Sequence, residues 1–212
     1  MAAAPGVLPA PTKVIALWNN FHALAAKLGL PDPAEPLYLL KSPNSWAASG
    51  DVIRAPAGQG KVVFEGELGI VIGKLCKGVA ENRALDYVAG YTCANDVTAA
   101  EVLNRDASFP QWVRAKGFDT FCPMGPCLAT GLDPRELTVT TRLNGEVRQH
   151  YAISDMRFSV ERLVRAISHD MTLFPGDVIL CGTSLGVGSM KPGSVVEVDI
   201  PGIGTLTNRF ET

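Results

Sequence analysis

The sequence has little of what marks several protein classes. Only 3 of its 212 residues are histidine and 5 are cysteine, and aromatics make up 7%. The cysteines Cys76, Cys93, Cys122, Cys127 and Cys181 form no C-x-x-C pair, and their number is odd. That pattern argues against a disulfide framework, a zinc site or a nucleophilic thiol, and for reduced, mostly buried thiols. Basic charge is not in surplus: 19 Lys and Arg face 21 Asp and Glu, a formal net charge of −2. Nothing therefore draws the chain onto nucleic acid or an anionic membrane. No apolar run approaches the ~18–20 residues of a membrane helix. Met1–Gly6 has neither the basic region nor the apolar core of a secretory signal. The expectation is a cytoplasmic protein. With 47% hydrophobic and 19% charged residues, the composition is globular and excludes a disordered chain.

Residues 1–12 are rich in Ala and Pro and read as a flexible tail, with one domain over 13–212. Leu17, Phe21, Leu24, Ala25 and Leu28 form a helical stripe closed by Gly29. After Pro31, Pro33 and Pro36, Leu37-Tyr38-Leu39-Leu40 reads as a short buried strand. From there strands prevail, punctuated by turns at Ser49-Gly50-Asp51, Pro175-Gly176-Asp177, Lys191-Pro192-Gly193 and Pro201-Gly202. Two helices interrupt them. One opens at Thr98, where Thr98-Ala99-Ala100-Glu101 has capping-box form. The other opens at Ser159, with Val160, Leu163, Val164 and Ile167 on one face. Strands do not alternate with helices, so the fold class is α+β.

The chemistry concentrates in Val62 to Gly73, a strand-like run that carries Glu65 and Glu67. Side chains alternate along a strand, so the two glutamates share a face. Paired carboxylates in apolar sequence repel each other and are costly to desolvate, and a hard divalent cation offsets both costs. Asp96, at the end of the apolar run from Val88, is a third candidate ligand. The competing reading leaves the glutamates on a solvated sheet face and gives Asp96 a helix-capping role.

The order of the segments resembles the fumarylacetoacetate hydrolase superfamily. Glu65-Gly66-Glu67-Leu68-Gly69-Ile70-Val71-Ile72-Gly73 is similar to its metal-binding strand, and Asn95-Asp96-Val97-Thr98 to its third-ligand segment. Ala115-Lys116-Gly117-Phe118, Leu143-Asn144-Gly145-Glu146, Leu173-Phe174-Pro175-Gly176-Asp177 and Gly182-Thr183-Ser184-Leu185-Gly186-Val187-Gly188 follow in the family's order. The resemblance implies a mixed β-sandwich roll with a few peripheral helices, usually a homodimer. It also implies Mg²⁺ or Mn²⁺ (Ca²⁺ in a crystal) held by Glu65, Glu67 and Asp96, with Lys116 and Thr183 at the substrate. The substrate class is a small 2-oxo acid, as met in aromatic-acid breakdown. Such an acid can chelate the cation, which stabilises the enolate shared by C–C hydrolysis, decarboxylation and isomerisation.

The family's hydrolases carry N-Y-x-x-H-x-x-E near the N-terminus, a His/Glu pair that activates water. Aligned on Ala16-Leu17, the His falls on His22, the Asn and Tyr on Trp18 and Asn19, and the Glu on Ala25. A lone His is a weaker general base. A family Arg four residues after the Asp is Ala100, with Arg105 or Arg114 as substitutes. The leading expectation is a metal-dependent hydrolase of an acylpyruvate-like C–C bond, with His22 and Lys116 catalytic. The alternative is an isomerase or decarboxylase of an unsaturated 2-oxo or 2-hydroxy diacid. A binding or scaffold protein that has lost the lid chemistry is a third possibility.

Overall fold

The computed structural model describes residues 6–212. Strands in chain order are β1 (Val14–Trp18), β2 (Leu37–Lys41), β3 (Trp46–Ala47), β4 (Val52–Arg54), β5 (Val62–Phe64), β6 (Gly66–Ile72), β7 (Val88–Asn95) and β8 (Thr98–Ala99). They continue as β9 (Cys122–Ala129), β10 (Thr138–Leu143), β11 (Glu146–Ala152), β12 (Val178–Leu180), β13 (Gly188–Ser189), β14 (Val195–Ile200) and β15 (Gly204–Glu211). The helices are α1 (His22–Leu28), α2 (Ala100–Leu103), α3 (Trp112–Lys116) and α4 (Val160–Asp170).

Three sheets result. The largest has seven strands in the order β2-β1-β12-β6-β7-β9-β3. A five-stranded sheet runs β11-β10-β14-β15-β4, and a small one runs β13-β5-β8. Parallel pairs (β1 with β12, β4 with β15, β3 with β9) sit among antiparallel ones, so the sheets are mixed and the α+β expectation holds. The main core joins Leu68 and Ile70 of β6 to Val198 and Ile200 of β14, which cements the large sheet to the five-stranded one. Each such side chain, fully buried, contributes about 1.5–3 kcal/mol relative to exposure.

Helix α4 follows from its sequence. Val160, Leu163, Val164 and Ile167 are all buried, and the Ser159 hydroxyl caps the helix by accepting from the Arg162 N–H at 3.3 Å. Val195 to Ile200, in which Val and acid alternate, forms β14 and pairs antiparallel with β15 across the Pro201-Gly202 turn, closing the chain with a hairpin.

Other expectations change. The stripe from Leu17 to Leu28 is not one helix. Leu17 lies on β1, paired with β2 and close to β12, and α1 begins only at His22. Between them Asn19 takes a left-handed φ of 57°, which no helix continues through. Gly29 does cap α1, at φ 65°. β2 is not a buried strand but the edge of the large sheet, with Leu37 and Leu40 each 41% exposed and Lys41 alone buried. Of the proposed tail, residues 1–5 lie outside the described residues. Within residues 6–12, Gly6 and Leu128 exchange backbone hydrogen bonds of 2.9 Å, and the Thr12 hydroxyl donates to buried Asp177. Among the described residues no helix is long and apolar enough to cross a membrane.

Candidate metal centre

The run from Val62 to Gly73 is broken at Glu65. Before it, β5 belongs to the small sheet and pairs with β8; after it, β6 belongs to the large sheet and pairs with β7. The neighbouring segment from β7 to β8 makes the same crossing at Asp96 and Val97. Two neighbouring strands thus switch sheets side by side, and the ladder opens where they do. The Asp96 N–H donates to the Glu65 carbonyl at 2.9 Å, and the Asn95 side chain accepts from the Glu65 N–H at 3.0 Å. These bonds hold the seam together with its carboxylates turned inward.

The alternative of a solvated face is excluded. Glu67 and Asp96 are buried, Glu65 is nearly so, and one oxygen from each lies within 4.8 Å of the others. Lys116, at the C-terminal end of α3, reaches in from the side. Its ammonium donates to Glu65 Oε2 (2.8 Å), Asp96 Oδ2 (2.6 Å) and Thr98 Oγ1 (2.7 Å). A second ammonium, that of Lys41, contacts Asp96 Oδ1 at 2.5 Å and the Phe121 carbonyl at 2.8 Å.

Glu67 has no such partner. One of its oxygens accepts the Gly182 N–H at 2.7 Å, and the other, Oε1, is buried with no partner among the described residues. The electrostatics follow. Burial, with Asp96 and Glu65 nearby, pushes the Glu67 pKa well above its ordinary value. Glu65 is also raised, by burial that outweighs Lys116. Asp96 is lowered: burial alone would raise it, but Lys116 and Lys41 together prevail. For Lys116, burial opposes the charge, and the two carboxylates outweigh it and keep the amine protonated. Two ammoniums against three carboxylates leave one negative charge uncompensated. An all-oxygen donor set with an orphaned, buried carboxylate oxygen suits a hard divalent cation, so the residues present fit Mg²⁺ or Mn²⁺.

Thr183 lies in the turn after β12, half-buried, with its hydroxyl donating to the Gly66 carbonyl at 3.0 Å. Its neighbour Gly182 has φ 89°, which suits a residue without Cβ. His22 is exposed at the start of α1, and its imidazole makes no hydrogen bond among the described residues. Asn20 and Phe21, just before it, are buried, and Asn20 bonds the Cys181 carbonyl at 2.8 Å. Sliding the N-Y-x-x-H-x-x-E pattern by two residues sets Asn20-Phe21 on its Asn-Tyr pair, and Leu24 and Lys27 on its His and Glu. In neither register does α1 carry a carboxylate.

Arg105 and Arg114 do not supply the second positive charge. Both are exposed, and Arg114 bonds Gln111. Lys41 supplies it, from a strand read as merely apolar. Thr98 does not cap a helix; it lies on β8 with its hydroxyl 3.2 Å from Glu65 Oε1, and Glu101 instead accepts the Lys61 N–H. The five cysteines are free, four of them buried and Cys127 half-buried.

Fold and site together define a class: a mixed-sheet α+β protein with a buried carboxylate triad able to hold a metal ion. Residues 13–211 match the model of the fumarylacetoacetate (FAA) hydrolase C-terminal family, and the chain belongs to that family. The structure is similar to 5-carboxymethyl-2-hydroxymuconate delta-isomerase from Mycobacterium smegmatis, with TM-score 0.89 and 43% identity over 98% of this chain and 82% of that one. It is also similar to 2-hydroxyhepta-2,4-diene-1,7-dioate isomerase from Mycobacterium marinum, with TM-score 0.87 and 42% identity over 99% and 77%. Among sequences, oxaloacetate tautomerase YisK of Bacillus subtilis is 36% identical over 217 residues, 96% of this chain and 71% of that protein.

Proposed function

We propose that this protein is a divalent-metal-dependent isomerase that shifts a proton next to the carbonyl of a small 2-oxo or 2-hydroxy acid, such as an unsaturated diacid or oxaloacetate. The observation that carries this reading is an asymmetry. The carboxylate triad is complete, while α1 offers an exposed His22 and no carboxylate to orient it. A proton shift needs the first and not a water-activating pair. The names of the relatives, isomerase and tautomerase, point the same way.

Glu65, Glu67 and Asp96 hold Mg²⁺ or Mn²⁺. When bound, the ion supplies Lewis-acid stabilisation of the negative charge that grows on the substrate's keto oxygen. Lys116, kept protonated by its carboxylates, is not a base, and it would donate to a substrate oxygen by exchanging one of its three present acceptors, Glu65, Asp96 or Thr98. The Thr183 hydroxyl orients the acid from the glycine turn. Burial of Glu67, Asp96 and Lys116 strengthens these interactions. His22, exposed at the start of α1, is the one histidine assigned a part in proton transfer.

The test is to incubate the protein, with Mg²⁺ and with EDTA, with enol-oxaloacetate, 2-hydroxyhepta-2,4-diene-1,7-dioate and an acylpyruvate. The expected result is Mg²⁺-dependent loss of the enol or diene absorbance with no carboxylic acid released. Cleavage of the acylpyruvate to pyruvate and an acid, with no isomerisation, overturns the proposal in favour of hydrolysis. Release of CO₂ from oxaloacetate favours decarboxylation.

A further inference from the structure

We propose that Gln149 is a positioning residue for the carboxylate triad, acting through the backbone of Gly66. The proposal rests on the metal-centred reading above. β11 is the outer strand of the five-stranded sheet, and of its seven residues only Gln149 and Tyr151 are buried. Both reach across to Gly66 in the large sheet. The Gln149 Oε1 accepts the Gly66 N–H at 3.0 Å, and its Nε2 donates to Thr183 Oγ1 at 2.8 Å and to the Ser184 carbonyl at 3.2 Å. The Thr183 hydroxyl in turn donates to the Gly66 carbonyl at 3.0 Å, and the Tyr151 hydroxyl donates to the same oxygen at 2.5 Å. Gly66, Gln149 and Thr183 therefore close a ring of hydrogen bonds around a single residue's backbone.

The position of that residue gives the ring its consequence. The Gly66 N–H belongs to the peptide plane shared with Glu65, and its carbonyl to the plane shared with Glu67. Fixing both planes fixes how the two glutamates stand relative to each other. A Cβ at Gly66 would lie 2.0 Å from Thr141 Oγ1, so the backbone sits too close to the facing sheet for any side chain. Gln149 spends its whole amide on this task and leaves nothing for solvent. Groups that hydrogen-bond a metal ligand typically change metal affinity about 10–100-fold when removed, and Gln149 reaches the two glutamates through the Gly66 peptide planes.

The experiment measures Mn²⁺ binding to EDTA-stripped full-length protein by electron paramagnetic resonance, without substrate, alongside urea denaturation. Gln149→Met keeps the bulk and removes the bonds. The expected result is Mn²⁺ affinity about 10–100-fold weaker in molecules that remain folded. A purely structural role would lower the denaturation midpoint and leave that affinity unchanged, which overturns the proposal. Should Gln149→Met fail to fold, Thr183→Val opens the ring at its other corner. Weaker Mn²⁺ binding there supports the proposal, and unaltered binding overturns it. Wild-type protein that binds no Mn²⁺ removes the metal-centred reading itself, and this proposal with it.

Discussion

The carboxylate seam and helix α1 are built on opposite terms. At the seam the functional groups are buried and all but one of the carboxylates have a charged partner: Lys116 spans Glu65 and Asp96, and Lys41 holds the far side of Asp96. Glu67 alone is left wanting a positive charge. On α1 the only titratable groups are His22 and Lys27, both exposed. The seam is rich in oxygen ligands and short of positive charge, which a bound divalent cation would supply. The helix lacks the carboxylate that would make its imidazole an efficient base. In this chain three acids that could hold a metal ion are brought together, while α1 carries no carboxylate beside His22.

The largest effect that would sharpen this contrast comes from Glu67→Gln. Replacing the one uncompensated ligand should cost about 10²–10³-fold or more in turnover, read as the initial rate of enol loss with saturating Mg²⁺. A pure binding or scaffold protein would have no turnover to lose. Next, Lys41→Met leaves Asp96 with one ammonium fewer in a buried site. Breaking such a pair should destabilise the metal-free fold by about 3–5 kcal/mol in chemical denaturation. Little change there would break the claim that the seam depends on paired charge.

A smaller effect is the pH dependence of stability. The Glu67 pKa is raised in the folded state above its ordinary value of 4.5. Between those values the folded chain holds a proton that the unfolded chain has released, so metal-free stability falls as pH rises through that window. Glu67→Gln removes this slope and should melt higher than wild type at neutral pH, by about 2–4 °C per kcal/mol recovered. Asp96 has the opposite sign, since its folded pKa is lowered: its contribution is present above the ordinary aspartate value and lost as pH falls. Thermal melts of EDTA-treated protein across that range would resolve the two. The smallest effect is expected on the helix. His22→Ala should slow isomerisation less than tenfold, whereas a hydrolytic general base contributes about 10²–10⁴-fold. A loss in that larger range would restore α1 to the chemistry and break the comparison.

Legibility in the sequence tracked how local each feature is. Helix α4 and the last hairpin were readable because periodicity and turn residues act over a few positions. Glu65, Glu67 and Asp96 were readable because their spacing and the order of the segments around them travel with the chain. Lys41 was not, since it closes a stretch of leucines and looks like the polar end of a strand. Gln149 and Tyr151 were not, since the strand that carries them is otherwise exposed. Thr98 was misread as a helix cap because its hydroxyl has a stronger claim from Lys116 than from any helix N–H.

By itself the sequence determined the fold class, the family and the identity of the three acids, all of which rest on pattern and order along one dimension. Only the tertiary structure decided how those acids are charged and aimed. It takes two strands changing sheets at the same place to bring the carboxylates within a few ångströms of each other. It takes lysines from β2 and α3 and an amide from β11 to set their balance and orientation. Coulomb energy and desolvation depend on distance and burial in space, and neither quantity is written in the spacing of residues along the chain.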